Sequence, residues 1–101
     1  MKLEGNWQIN KMLVHDTALK IDYQIMKLQF MPLHRYSFTN NLNQTEAGIF
    51  EIKDSLLLLS DTTKTKIVER AIQIMRLSND TLLLRQNFQG NEARLILTKI
   101  K

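Results

Sequence analysis

The feature that most constrains this chain is an alternation of apolar and polar residues with period two. Arg35-Tyr36-Ser37-Phe38-Thr39 and Gly48-Ile49-Phe50-Glu51-Ile52 both carry it, and such a period places successive side chains on opposite faces of an extended backbone. Further strands are expected from about Asn6 to Val14, over the apolar run Leu56 to Leu59, and over Ile67 to Leu77, Thr81 to Phe88 and Ala93 to Ile100. Turn residues separate them: Asn40 to Gln44, Lys53-Asp54-Ser55, Ser78-Asn79-Asp80 and Gln89-Gly90-Asn91-Glu92. With 3 Gly and 1 Pro in the chain, the turns depend on Asn and Asp, whose short side chains bond the local backbone and tolerate left-handed conformations. The pattern is all-β, and the last segments read as consecutive hairpins.

The segment Ala18 to Met31 is ambiguous. Lys20, Asp22 and Gln24 alternate with Ile21, Tyr23 and Ile25, but the phase slips at Ile25-Met26 before Lys27 and Gln29 resume it. A bulged strand explains the slip, and a helix lying over one end of the sheet is the rival. An internal echo bears on register: Asp54-Ser55-Leu56-Leu57-Leu58 and Asp80-Thr81-Leu82-Leu83-Leu84 both follow an apolar strand. If Leu82, Leu84 and Phe88 point inward, the echo places Leu56 and Leu58 inward and leaves Leu57, Leu59 and Leu83 outward. Outward leucines need a cover, either the Ala18 to Met31 segment with Ile21, Ile25 and Leu28, or a second copy of the chain in a homodimer through Leu57, Leu59 and Leu83.

Size and charge narrow the functional classes. The 101 residues fit a single domain spanning 1–101. Without cysteine, disulfides, thiol catalysis and thiolate metal sites are excluded. No apolar run is long enough for a signal peptide or a membrane span. The expected compartment is the cytoplasm, or the periplasm or cell exterior if an upstream leader is removed. Residues 1 to 61 hold 6 Lys/Arg and 7 Asp/Glu, whereas residues 62 to 101 hold 8 and 3. The cations of that second part, Lys64, Lys66, Arg70, Arg76, Arg85, Arg94, Lys99 and Lys101, stand singly among apolar residues. That spacing suits the wet face of strands better than a nucleic-acid surface, which needs a cluster.

Leu3-Glu4-Gly5-Asn6-Trp7 resembles the G-x-W opening of the lipocalins and their calycin relatives. The later Tyr36-Ser37-Phe38, Gly48-Ile49-Phe50-Glu51-Ile52 and Leu77-Ser78-Asn79-Asp80-Thr81-Leu82 are similar to the small bacterial lipocalin-like domains. The resemblance covers most of the chain. It implies an up-and-down antiparallel β-barrel of about eight strands, closed at its base by Trp7, with an interior for one small apolar ligand. Closure would also remove exposed sheet edges. The resemblance further implies a cation packed across the tryptophan near the last strand, for which Arg94 and Lys99 are the candidates. A counterpart of the terminal helix of the large lipocalins is not expected within these residues.

If the barrel is hollow, Trp7, Tyr36, Phe38, Phe50, Leu84, Gln86, Phe88 and Arg94 are the expected ligand-binding residues, with Met12 and Met75 beside them. Tyr36, Gln86 and Arg94 would fix a carboxylate or hydroxyl. The alternative is a filled core in which the same residues simply pack, making the barrel an interaction module. No cofactor is expected. No phosphate-binding glycine loop, H-E-x-x-H or G-x-S-x-G is present, so the chain is not expected to be an enzyme. His15 and His34 read as loop or rim residues rather than metal ligands, and Glu51 and Glu69 as exposed strand positions.

Overall fold

The computed structural model describes residues 3–63, 65–66, 68–88 and 90–100, with Phe88 by its backbone alone. The strands are β1 (Gly5–Val14), β2 (Thr17–Ala18), β3 (Lys27–Met31), β4 (Arg35–Thr39), β5 (Thr45–Lys53), β6 (Leu56–Asp61), β7 (Val68–Leu77), β8 (Thr81–Phe88) and β9 (Asn91–Lys99). From β3 onward each strand pairs antiparallel with the next, and β1 pairs with both β3 and β9. Eight strands therefore close into an up-and-down barrel. The two residues of β2 add only a short flap to the end of β1, through Leu13 and Ala18.

Two bulges set which residues enter the barrel. In β1 the register jumps between Ile9 and Lys11, so the inward phase passes from Trp7 and Ile9 to Met12 rather than Lys11. An extra residue in one strand of a pair has this effect. In β7 the jump lies between Ile74 and Arg76. Met75 is that extra residue and stands exposed on the outer surface, which corrects its expected place in the interior.

The echo between the two Asp-led leucine runs misleads about register. Leu57 and Leu59 are 0% and 4% exposed, whereas Leu56 is 42% exposed. The β5–β6 hairpin closes on the Lys53–Leu56 pair around two residues, Asp54 and Ser55, with Asp54 left-handed at φ 58°. The β7–β8 hairpin closes on Leu77 and Leu82 around four residues. The shorter loop puts its closing pair on the outer face and the longer one puts it inside, so equivalent-looking leucines point opposite ways. A homodimer contact through Leu57 and Leu59 is thereby ruled out, because both are core residues. Leu83 does sit on the outer side, partly covered.

Residues 19–26 form neither the bulged strand nor the helix considered for this segment. Side chains satisfy their backbone instead of a ladder. The Tyr23 hydroxyl donates to the Leu19 carbonyl at 2.6 Å and accepts from the Met12 amide at 3.1 Å, while the Gln8 side-chain amide donates to the carbonyls of Tyr23 (2.6 Å) and Met26 (3.0 Å). The loop does not cover the outside of the sheet. Leu19, Ile21 and Met26 turn into the mouth of the barrel.

The opposite end is packed solid. Trp7 is fully buried, and its indole N–H donates to the Leu3 carbonyl at 2.8 Å. Directly across the ladder stands Lys99, with its ammonium 5.2 Å from the Trp7 ring centre. Of the two candidate cations, Lys99 occupies this position. Gly5 permits it: at φ +130°, a Cβ there would lie 2.7 Å from the Lys99 Cε, so a side chain would displace the lysine stem. Phe30 meets Phe50 edge-on at 5.0 Å, and Leu82 and Leu97 complete the plug.

Candidate functional site

Above this plug the barrel is hollow. A cavity of about 700 Å³ opens at the end that carries the 19–26 loop and the β4–β5 turn, a size within the roughly 300–1,000 Å³ usual for small-molecule sites. Inward positions of the closed sheet supply its apolar wall: Ile9 and Met12 from β1, Leu28 from β3, Phe38 from β4, Leu59 from β6, Ile72 from β7, Leu84 from β8 and Leu95 from β9. Polar residues sit among and above them. Asn40 and Asn41 come from the β4–β5 turn, Gln86 and Asn87 from the end of β8.

A charged pair crosses the wall. Glu46 on β5 accepts from Arg70 Nη2 through Oε1 at 2.6 Å and from the Tyr36 hydroxyl through Oε2 at 2.9 Å. Each member is an inward residue of its strand. Gly48, two residues beyond Glu46 on the same face of β5, has no room for a side chain, since a Cβ would fall 1.9 Å from the Ser60 carbonyl oxygen. Burial pushes the Tyr36 hydroxyl well above its ordinary value of 10.0, and its hydrogen bond to Glu46 raises it further. Tyr36 therefore stays a protonated donor wherever the barrel is folded in ordinary buffers. Nearby, Asp61 is buried at the end of β6, where its Oδ1 accepts from the amide of Thr63 at 2.9 Å and from its hydroxyl at 2.5 Å.

The expected binding residues divide between these regions. Phe38, Leu84 and Gln86 line the cavity. Trp7 and Phe50 belong to the plug beneath it, and Tyr36 is buried behind Glu46. Arg94 is displaced from the interior: the inward residues of β9 are Ala93, Leu95 and Leu97, and Arg94 lies outside at 3.2 Å from Glu92. The side chain of Phe88 lies outside the described residues. Sequence reasoning missed Glu46 and Arg70. Arg70, expected on the wet face with the other cations, turns inward, whereas Lys66, Arg76 and Arg85 are exposed as expected and Lys64 and Lys101 lie outside the described residues. A signal was available, since Arg70 shares period-two phase with the apolar Ile72 and Ile74.

The two histidines stand far apart. His15 bonds Asn91 at 2.6 Å and His34 lies against Phe50 at 5.5 Å between ring centres, at opposite ends of the barrel. Glu51 and Glu69 are exposed. Among the described residues, no three of His, Asp and Glu converge as a metal site would require, and no helix is long and apolar enough to cross a membrane.

No protein-family model and no curated protein matches the chain. Solved structures do. A lipocalin-like protein from Bacteroides uniformis superposes with a TM-score of 0.74 at 17% identity, covering 99% of this chain and 100% of that one. An uncharacterized protein from Bacteroides eggerthii gives 0.69 at 15% identity, covering 97% and 99%. Closed barrel and near-complete mutual coverage agree: this chain has the fold of the small bacterial lipocalin-like proteins.

Proposed function

We propose that the barrel binds one small apolar or amphipathic molecule non-covalently in the cavity above the Trp7 plug. The observation that carries this reading is the cavity itself, about 700 Å³ with an apolar wall and polar groups near its mouth. A single core packed to native density leaves few voids of that size, so a space maintained by eight strands favours an occupant over the filled-core alternative. A titration with Nile red tests it. One saturable, blue-shifted binding event per chain, reversed by a ten-carbon amphiphile, is the expected result, and a dye that stays in water in the presence of folded protein refutes it.

A second reading, a homodimeric interaction module, has one observation in its favour. With Leu57 and Leu59 inside, the outer surface of β5 and β6 presents Ile49, 50% exposed, and Leu56. Sedimentation at about 10 μM, where a dimer held by roughly 7 kcal/mol is half formed, distinguishes the two: a dimer dispersed by Ile49→Lys/Leu56→Lys supports this surface, and a monomeric wild type removes it.

A further inference from the structure

We infer that the cavity selects an uncharged amphiphile, one with an apolar body and a neutral hydrogen-bonding head such as an alcohol, ester or amide. This rests on the binding reading above and adds to it the chemistry of the head group. Among the described residues, the only charged groups lining the cavity are Glu46 and Arg70, and they neutralise each other at 2.6 Å. Both oxygens of Glu46 are already engaged, one by Arg70 and one by Tyr36.

Arg70 differs. A guanidinium has five N–H donors, Glu46 takes one of them, and the side chain is 40% exposed. It can therefore offer further hydrogen bonds to a ligand, but no net charge. A carboxylate docking on Arg70 must also approach Glu46, so attraction to one and repulsion from the other largely cancel. The ligand's lost hydration is then uncompensated. A neutral oxygen gives up less water and accepts the same N–H. The other polar lining groups, Asn40, Asn41, Gln86 and Asn87, are carboxamides, which serve neutral donors and acceptors alike and add no charge.

The test is displacement of Nile red by n-decanol, n-decanoate and n-decylammonium at about pH 8, where the acid is ionised and the amine protonated. The wild type should bind decanol about tenfold more tightly than either ion, a margin of one order in affinity. Glu46→Gln, which leaves the guanidinium charge unopposed, should strengthen decanoate about tenfold with little change for decanol. Arg70→Gln should weaken decanoate further. A wild type that takes decanoate or decylammonium as tightly as decanol overturns the inference while dye binding keeps the cavity reading intact. So does a folded Glu46→Gln that leaves the ratio unchanged. Should that variant not fold, the wild-type order alone decides, and failure of the dye to bind at all removes both readings.

Discussion

The two halves of this barrel are built from the same strands with the same period, yet they are filled differently. At the base, Trp7, Phe30, Phe50, Leu82 and Leu97 are buried and mutually packed. At the other end Met12, Ile21 and Phe38 are only partly buried, and they share their space with Glu46, Arg70 and Gln86. Alternation fixes which residues face inward but not whether the inside is full. What fills the base is residue size and what keeps the top open is polarity, because a cluster of charged and amide groups resists collapse into an apolar core. Stability thus resides chiefly in one half and the proposed binding surface in the other.

The sharpest way to break that division is Trp7→Ala. Truncating a buried Trp typically costs about 3–5 kcal/mol, a large share of the stability of a domain this size. Urea unfolding should show the variant largely unfolded, and a midpoint close to the parent's would mean the base is not the stabilising half. Next comes the leucine pair. Leu57→Ala should cost about 2–5 kcal/mol, whereas Leu56→Ala, on the outer face, should stay within about 0.5 kcal/mol. The reverse order would restore the register that the echo suggested.

That pair also shows how far the sequence could be read. Alternation and Asn/Asp turns, which are local signals, were enough for the strands, while the closed barrel and its Trp7 base came from the family resemblance that Gly5-x-Trp7 carries. Inward facing at β6 was not legible, since it depends on whether two or four residues close the hairpin. The bulges after Ile9 and Ile74 were equally silent, each shifting a strand's phase without a Gly or Pro to mark it. Three of the expected binding residues line the cavity, while Arg94 lies outside, a face legible in its phase, since it alternates with Ala93, Leu95 and Leu97 and falls in step with Glu92 and Thr98. The Glu46–Arg70 pair joins positions 24 residues apart, a proximity created only when β5, β6 and β7 align.

Smaller effects separate the halves more finely. Met12→Trp places bulk into the cavity and should cost no more than about 1–3 kcal/mol while abolishing dye binding, a dissociation visible by running both measurements on one sample. Lys99→Met keeps the apolar stem but removes the cation over Trp7, and thermal melts should register a loss of about 0.5–1 kcal/mol with dye binding unchanged. Tyr36 makes stability depend on pH in the alkaline range alone. Its pKa is raised in the folded state, so its contribution is complete below its ordinary value of 10.0 and declines as pH climbs beyond that. A stability profile above about pH 10 should therefore fall less steeply in Tyr36→Phe than in the wild type.

The central claim, a solid base beneath a hollow end proposed to bind an amphiphile, is tested most directly by nuclear magnetic resonance with decanol as the titrant. Amide and methyl shifts should move saturably at Met12, Leu28, Phe38, Leu59 and Ile72, while Trp7, Phe50, Leu82 and Leu97 stay in place. Shifts concentrated at the base or on the outer face around Ile49 and Leu56, or no saturable shifts at all, would contradict it.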